Sequence, residues 1–196
     1  MKHKWIFDYR GVLAGLPVLF ALFWPRGGTT HAEVVWPLGL GLIAGGVAVR
    51  VWAQSYLHHR LERGASQLTT GGPYRLVRNP LYIGNTLIFA GATVFSRLLW
   101  MVPISAVWSV ATYTLTIRWE EQHLAAQYGQ PYLDYLKRVP RWVPQMASLK
   151  KPDFLNQDLG KAVMAEMHNW LIIVPFLLKQ MVLSPEHSPL GFLLTR

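Results

Sequence analysis

The sequence predicts an all-α fold, a polytopic membrane helix bundle of four transmembrane helices plus an additional C-terminal interfacial or membrane helix. Three observations carry this prediction. Of the 196 residues, 52% are hydrophobic and 15% charged, against about 25% charged in a soluble domain. Apolar runs of roughly the 20 residues needed to cross a hydrocarbon core about 30 Å thick recur along the chain. The cations, finally, gather in the connections that such a bundle would place on one side.

The elements follow in order. Residues 6–24, with Pro17 inside, form the first run, and residues 34–57, with Arg50 and Gln54 in the last two turns, form the second. Residues 81–95 and 98–117 are separated only by Ser96 and Arg97, which predicts a tight antiparallel hairpin within the bilayer. Lys2, Lys4 and Arg10 flank the first run; Arg60, Arg63, Arg75 and Arg78 fill the second connection; Arg118, Lys137, Arg138, Arg141, Lys150 and Lys151 follow the fourth run. The opposite side holds Arg26, His31, Glu33 and Arg97. Enrichment of cytoplasmic flanks in Lys and Arg therefore places the N-terminus and both large polar segments in the cytoplasm. A cleaved signal peptide ending near Thr30-His31-Ala32 is the alternative for the first run, disfavoured by its length and by Trp24-Pro25.

Residues 1–151 read as a single membrane domain, with core motifs in 71–144, and residues 152–196 as a C-terminal helical extension. Within that extension, residues 161–183 mix Glu166, His168 and Lys179 with the apolar stretch 170–178. An interfacial or re-entrant helix is expected there. The formal net charge of +9 is accounted for by topology, so no nucleic-acid partner is expected. The absence of cysteine excludes disulfides, thiolate nucleophiles and cysteine-ligated metals.

Two segments on the predicted cytoplasmic side carry unusual chemistry. The first, Gly71-Gly72-Pro73-Tyr74-Arg75-Leu76-Val77-Arg78-Asn79-Pro80-Leu81-Tyr82-Ile83-Gly84, leads into the third helix. Its ordinary reading is a glycine turn, an Asn79 N-cap and a Pro80 helix start, with arginines meeting lipid phosphate. A helix N-terminus beside two arginines also suits an anionic group such as a carboxylate. In the second, Glu120-Glu121-Gln122-His123-Leu124 and Tyr128-Gly129-Gln130-Pro131-Tyr132-Leu133-Asp134-Tyr135, adjacent glutamates oppose the basic bias of their flank and point to a cationic ligand. Tyr128, Tyr132 and Tyr135 share a helical face with Leu124, either as an amphipathic interface helix or as aromatic walls for a cation or ring. Arginine, glutamate and aromatic faces together complement S-adenosylmethionine, although NADPH or a phospholipid offers overlapping groups.

The run Gly72-Pro73-Tyr74-Arg75-x-x-Arg78-Asn79-Pro80-x-Tyr82-x-Gly84 resembles the signature of isoprenylcysteine carboxyl methyltransferases and related phospholipid methyltransferases. Glu120-Glu121-x-x-Leu124, Tyr128-Gly129, Tyr132, Tyr135 and Val139-Pro140-Arg141-Trp142-x-Pro144 resemble that family's C-terminal motif, in the same order around a similar hairpin. The resemblance implies S-adenosyl-L-methionine as cofactor and a lipid-accessible acceptor opening. It makes Tyr74, Arg78, Asn79, Tyr82, Gly84, Glu120, Glu121, Tyr128 and Tyr132 the candidate cofactor-binding residues. Prenylcysteine-type members usually carry His at the Asn79 position, whereas some phosphatidylethanolamine methyltransferases have Asn-Pro there. Prenylcysteine carboxylate, phospholipid amine and thiol acceptors all stay open, and the extension after Lys151 lies outside the resemblance.

Direct displacement at a sulfonium methyl requires alignment and exclusion of water rather than a covalent enzyme intermediate. An amine or thiol acceptor must lose a proton, which makes Glu121, His123 or a tyrosine the candidate catalytic group. Arg50, an intramembrane charge near a helix end, is a further candidate, with snorkelling to the interface as its ordinary explanation. Glu120-x-x-His123 is half of a di-metal motif without a second copy, and His58 and His59 are adjacent rather than one helical turn apart, so no metal site is expected. The alternatives to methyl transfer are an NADPH-dependent sterol-type membrane reductase, whose family shares a similar C-terminal motif, and a non-enzymatic lipid-binding or scaffolding membrane protein.

Overall fold

The computed structural model describes residues 4–24, 32–62, 68–145 and 159–183, with the side chains of 32, 58–62 and 180–183 left aside. The expectations placed on Lys2, Arg26, His31, Arg63, Lys150 and Lys151, and on the side chains of His58, His59 and Arg60, lie outside the described residues. Every regular element among the described residues is helical. In chain order these are α1 (Lys4–Asp8), α2 (Arg10–Phe23), α3 (Ala32–Glu62), α4 (Pro73–Leu76), α5 (Pro80–Phe95), α6 (Met101–Tyr128), α7 (Gln130–Arg138), α8 (Leu159–Glu166), a 3₁₀ segment (Met167–Ile172) and α9 (Ile173–Leu183).

The first predicted helix is two pieces, because Tyr9 leaves helical geometry at φ −102° and ψ 11°. The backbone ladder still bridges the break, through Tyr9 N to Trp5 O and Leu13 N to Tyr9 O, each 3.0 Å. Pro17 has no N–H to offer Leu13 O four residues back. The Trp108 indole of α6 donates to that carbonyl instead, at 2.7 Å, so a neighbouring helix satisfies the group that the proline frees.

Helices α3 and α5 pack antiparallel along a seam of glycines spaced by seven. A Cβ on Gly46 would stand 2.6 Å from the Gly84 carbonyl oxygen, and one on Gly91 would stand 2.8 Å from that of Gly39. Small residues at these crossings let the two backbones approach closely, the usual route to helix association where lipid removes the hydrophobic driving force. Ile43, Ile88, Ala92, Val94 and Phe95 fill the space around the seam and form the main core with Val18, Val35 and Phe176. The hairpin turn spans residues 96–100, longer than the two residues expected, and Arg97 turns the chain at φ 60°.

Two helical stretches, Glu33–Leu57 and Leu159–Lys179, are long and apolar enough to cross a membrane, while α2 and α5 are shorter apolar helices. The chain thus has the features of a helical membrane protein. The apolar residues 170–178 belong to a longer element that runs through α8, the 3₁₀ segment and α9, and its acidic member Glu166 is buried within the protein at 1% exposure. Helix α6 continues without interruption past the predicted end of the fourth run, so Glu120, Glu121 and His123 stand on its last turns.

Candidate functional site

The two unusual segments are tied together by backbone and side-chain bonds. Arg78 N donates to Pro140 O at 2.9 Å and Gln145 N to Leu76 O at 3.0 Å, so residues 140–145 run back along residues 75–79. The Tyr135 hydroxyl of α7 donates to Tyr74 O at 2.7 Å, and Asn79 Nδ2 donates to Arg141 O at 3.2 Å. Asn79 therefore does not cap α5 through its side chain, contrary to the local reading. Its carbonyl instead receives Tyr82 N and Ile83 N, at 3.2 and 3.3 Å. Gly72 turns the chain at φ 53° against the Tyr56 ring, where a Cβ would lie 2.5 Å from Tyr56 Cζ. Only glycine meets both demands.

This stitching encloses a cavity of about 530 Å³ between α1, α3, the α4–α5 segment and the end of α6, within the usual range for a small-molecule site. Tyr74, Arg78, Asn79, Tyr82, Glu120 and Arg50, six of the residues singled out in the sequence, line it. Phe7, Arg10, Gln54 and Asn85 line it too and were not expected there, and Trp119, directly before Glu120 in the second segment, adds an aromatic face. The signal for Arg10 was its place between apolar residues, where a topology flank explained it too readily.

Glu120 Oε1 accepts the Tyr82 hydroxyl at 2.8 Å. Burial holds the Glu120 carboxyl above the usual carboxylate range; the Tyr82 bond and the Arg10 charge oppose this, and Glu121 adds to it. Arg78 Nη1 reaches Glu121 Oε1 at 2.9 Å, but its buried Nε has no partner among the described residues. The cavity wall thus offers a donor for an anion, a carboxylate for a cation, and aromatic rings between them. That set fits S-adenosylmethionine, which has a carboxylate, an ammonium, a sulfonium and a flat base.

The remaining candidates stand elsewhere. Glu121 is held by Arg78 and by Arg141, whose Nη2 is 2.5 Å from Oε2, and this bond raises the Arg141 pKa further. His123 is exposed; its Nδ1 meets Trp119 O at 2.9 Å and its ring lies 3.7 Å from the Trp119 ring. Gly84 makes the α3–α5 crossing, with Arg50 Cγ at 2.5 Å from any added Cβ. Tyr132 packs with Tyr135 and Val139 behind the site, with Tyr128 against them. Burial, with Glu121, pushes the Tyr132 hydroxyl up to about 12, which keeps it protonated. Among the described residues no group of three His, Asp or Glu side chains is placed to hold a metal ion.

The phospholipid methyltransferase family model matches residues 34–131, which takes in α3, the α4–α5 segment and α6. The cobalt-zinc-cadmium resistance protein CzcN of Cupriavidus metallidurans is 28% identical over 120 residues, 61% of this chain and 54% of that protein. The nickel-cobalt-cadmium resistance protein NccN of Alcaligenes xylosoxydans xylosoxydans is 29% identical over 98 residues, 50% of this chain and 44% of its own length. Methanethiol S-methyltransferase 2 of Bradyrhizobium diazoefficiens is 33% identical over 82 residues, 41% of this chain and 30% of that enzyme. The chain therefore spans about half or less of the length of these relatives. No solved structure is significantly similar to it.

Proposed function

This chain belongs to the phospholipid methyltransferase family, and on that premise we propose that it transfers a methyl group from S-adenosylmethionine to a lipid-like or small apolar acceptor at the cytoplasmic face of a membrane. The observation that carries the reading is one cavity lined by Arg78, whose Nε has no hydrogen-bond partner among the described residues, by Glu120 and by the rings of Tyr74, Tyr82 and Trp119. Arg78 would hold the carboxylate of the cofactor, and Glu120 its cationic end. When bound, S-adenosylmethionine supplies an electrophilic methyl group on a sulfonium.

The protein's own part is to orient and to exclude water. Tyr82 fixes one oxygen of Glu120, and the ring of Tyr82 stacks on Tyr113 at 4.5 Å between centroids. The carboxylate is therefore pre-positioned and is not left to reorganise as charge leaves the sulfonium. The name of the Bradyrhizobium relative supports methyl transfer to sulfur as one acceptor chemistry. In this reading the chain crosses the membrane four times or more, with its N-terminus in the cytoplasm. Calorimetry of purified protein in detergent tests the cofactor: binding of S-adenosylmethionine or S-adenosylhomocysteine, lost in Arg78→Ala, is expected. Binding of NADPH alone would favour a reductase.

A further inference from the structure

A second cavity, of about 370 Å³, lies on the far side of Arg50 and Asn85, the two residues it shares with the first cavity. Tyr113 and Phe89 form one wall, and His168 and Asn169 of the 3₁₀ segment form the other. That last wall lies beyond the part of the chain matched by the family model.

The charge of this cavity is set by one pair. Arg50 Nε and Nη2 donate to Glu166 Oε2 and Oε1 at 2.6 and 2.9 Å, and Nη1 donates to Asn85 Oδ1. Asn169 Nδ2 adds a third bond to the Glu166 carboxylate at 2.5 Å. Glu166 is 1% exposed, so the guanidinium charge is cancelled locally and not by solvent. An acceptor bearing a carboxylate would have to displace Glu166 and leave it buried without its cation, a severe cost. An uncharged acceptor meets no such barrier. His168 Nδ1 lies 2.8 Å from Ala165 O. A carbonyl only accepts, so Nδ1 carries the proton, and in the neutral ring Nε2 keeps its lone pair for an S–H, O–H or N–H donor. The volume lies near the lower end of ligand cavities.

We propose that the C-terminal segment builds the methyl-acceptor chamber, and that the chamber takes a small uncharged acceptor of the alkyl-thiol class because Glu166 neutralises Arg50. The proposal rests on the methyl-transfer reading above. Glu166 is a positioning residue in it; His168 Nε2 receives the hydrogen bond of the acceptor.

The full chain in detergent, saturated with S-adenosylhomocysteine so that no turnover occurs, is titrated with ethanethiol and with propionate, a carboxylate of similar size that carries the same ethyl group. Ethanethiol is expected to bind more tightly. Glu166→Gln should shift the preference toward the carboxylate by about tenfold or more, the scale of one unpaired buried charge or bond. The double variant Arg50→Gln/Glu166→Gln, neutral again, should restore the preference for thiol and covers the case in which the single variant does not fold. Preference of the wild type for propionate, or an unchanged preference in a folded Glu166→Gln protein, overturns the proposal while leaving methyl transfer intact. Failure of the wild type to bind S-adenosylhomocysteine at all overturns the underlying reading.

Discussion

Glu120 and Glu121 are successive residues of α6 with separate partners: Glu120 accepts the Tyr82 hydroxyl at 2.8 Å in the cavity wall, while Glu121 lies between Arg78 and Arg141 at 2.9 and 2.5 Å. Conservative changes at the two positions should therefore give opposite profiles. Glu121→Gln leaves two guanidiniums without their counter-charge and is expected to lower unfolding stability by about 1–3 kcal/mol. That lies below the value for a fully buried pair, because Glu121 is 13% exposed and Arg141 31%. Glu120→Gln keeps an acceptor for Tyr82 and removes a buried charge, so the melting temperature should hold while affinity for S-adenosylmethionine falls at least about tenfold. Thermal unfolding and calorimetry on both variants read the contrast; equal loss of stability in the two would refute this division of roles.

Burial of Glu120 carries a pH signature. Its carboxyl is held above the ordinary 4.5, so in the window from 4.5 up to the raised value the ligand-free protein keeps a proton that an unfolded chain has lost. The stability contributed by that proton is full below 4.5 and declines as pH rises through the raised value. A cationic ligand prefers the ionised form, so affinity for S-adenosylmethionine should strengthen across the same window and then level off, with proton release on binding at its lower end. Titrations in buffers of different ionisation enthalpy measure the release. In Glu120→Gln it should vanish.

The parts of this architecture legible in the sequence were those encoded locally. The apolar run 34–57 lies within α3, and the hairpin of α5 and α6 followed from two runs with a short break. Tyr74, Arg78, Asn79, Tyr82, Glu120 and Arg50, singled out in the sequence, line one cavity. Glu166 was opaque, because its place is set by a partner 116 residues earlier that no local window contains. Gly84 was readable in principle. Glycines at 39, 46, 84 and 91 repeat at seven, a packing pattern that its position beside a cofactor motif obscured.

The Tyr135 hydroxyl is the link between α7 and the wall residue Tyr74, donating to its carbonyl at 2.7 Å from a side chain only 4% exposed. Burial pushes that hydroxyl well above its ordinary value, so it remains a donor across the working pH range. Tyr135→Phe removes this donor from the buried link to the Tyr74 carbonyl, at a cost of about 1–3 kcal/mol. Because Tyr74 lines the cavity, affinity for S-adenosylhomocysteine should weaken together with stability. A variant that loses stability alone would mean that the Tyr74 wall is held without α7.

Two neighbouring glycines of α3 should respond in opposite directions to the same methyl group. At Gly46 an added Cβ would lie 2.6 Å from the Gly84 carbonyl and 3.1 Å from Ile88 N. Both are backbone atoms of α5, so relief requires the helices to part. Gly46→Ala is expected to destabilise by about 1–3 kcal/mol, as overpacking does in a close-packed core. Gly45 faces outward with nothing within 4 Å, and Ala there should gain up to about 1 kcal/mol from helix propensity. The seam also reaches the site. A Cβ on Gly84 would meet Arg50 Cγ at 2.5 Å, so Gly84→Ala should move the Arg50 side chain that divides the two cavities. It should therefore weaken ligand binding more than Gly46→Ala does at equal loss of stability. Unfolding and binding measured on the three variants separate packing from site geometry, and a stabilised Gly46→Ala protein would rule out the close crossing of α3 and α5.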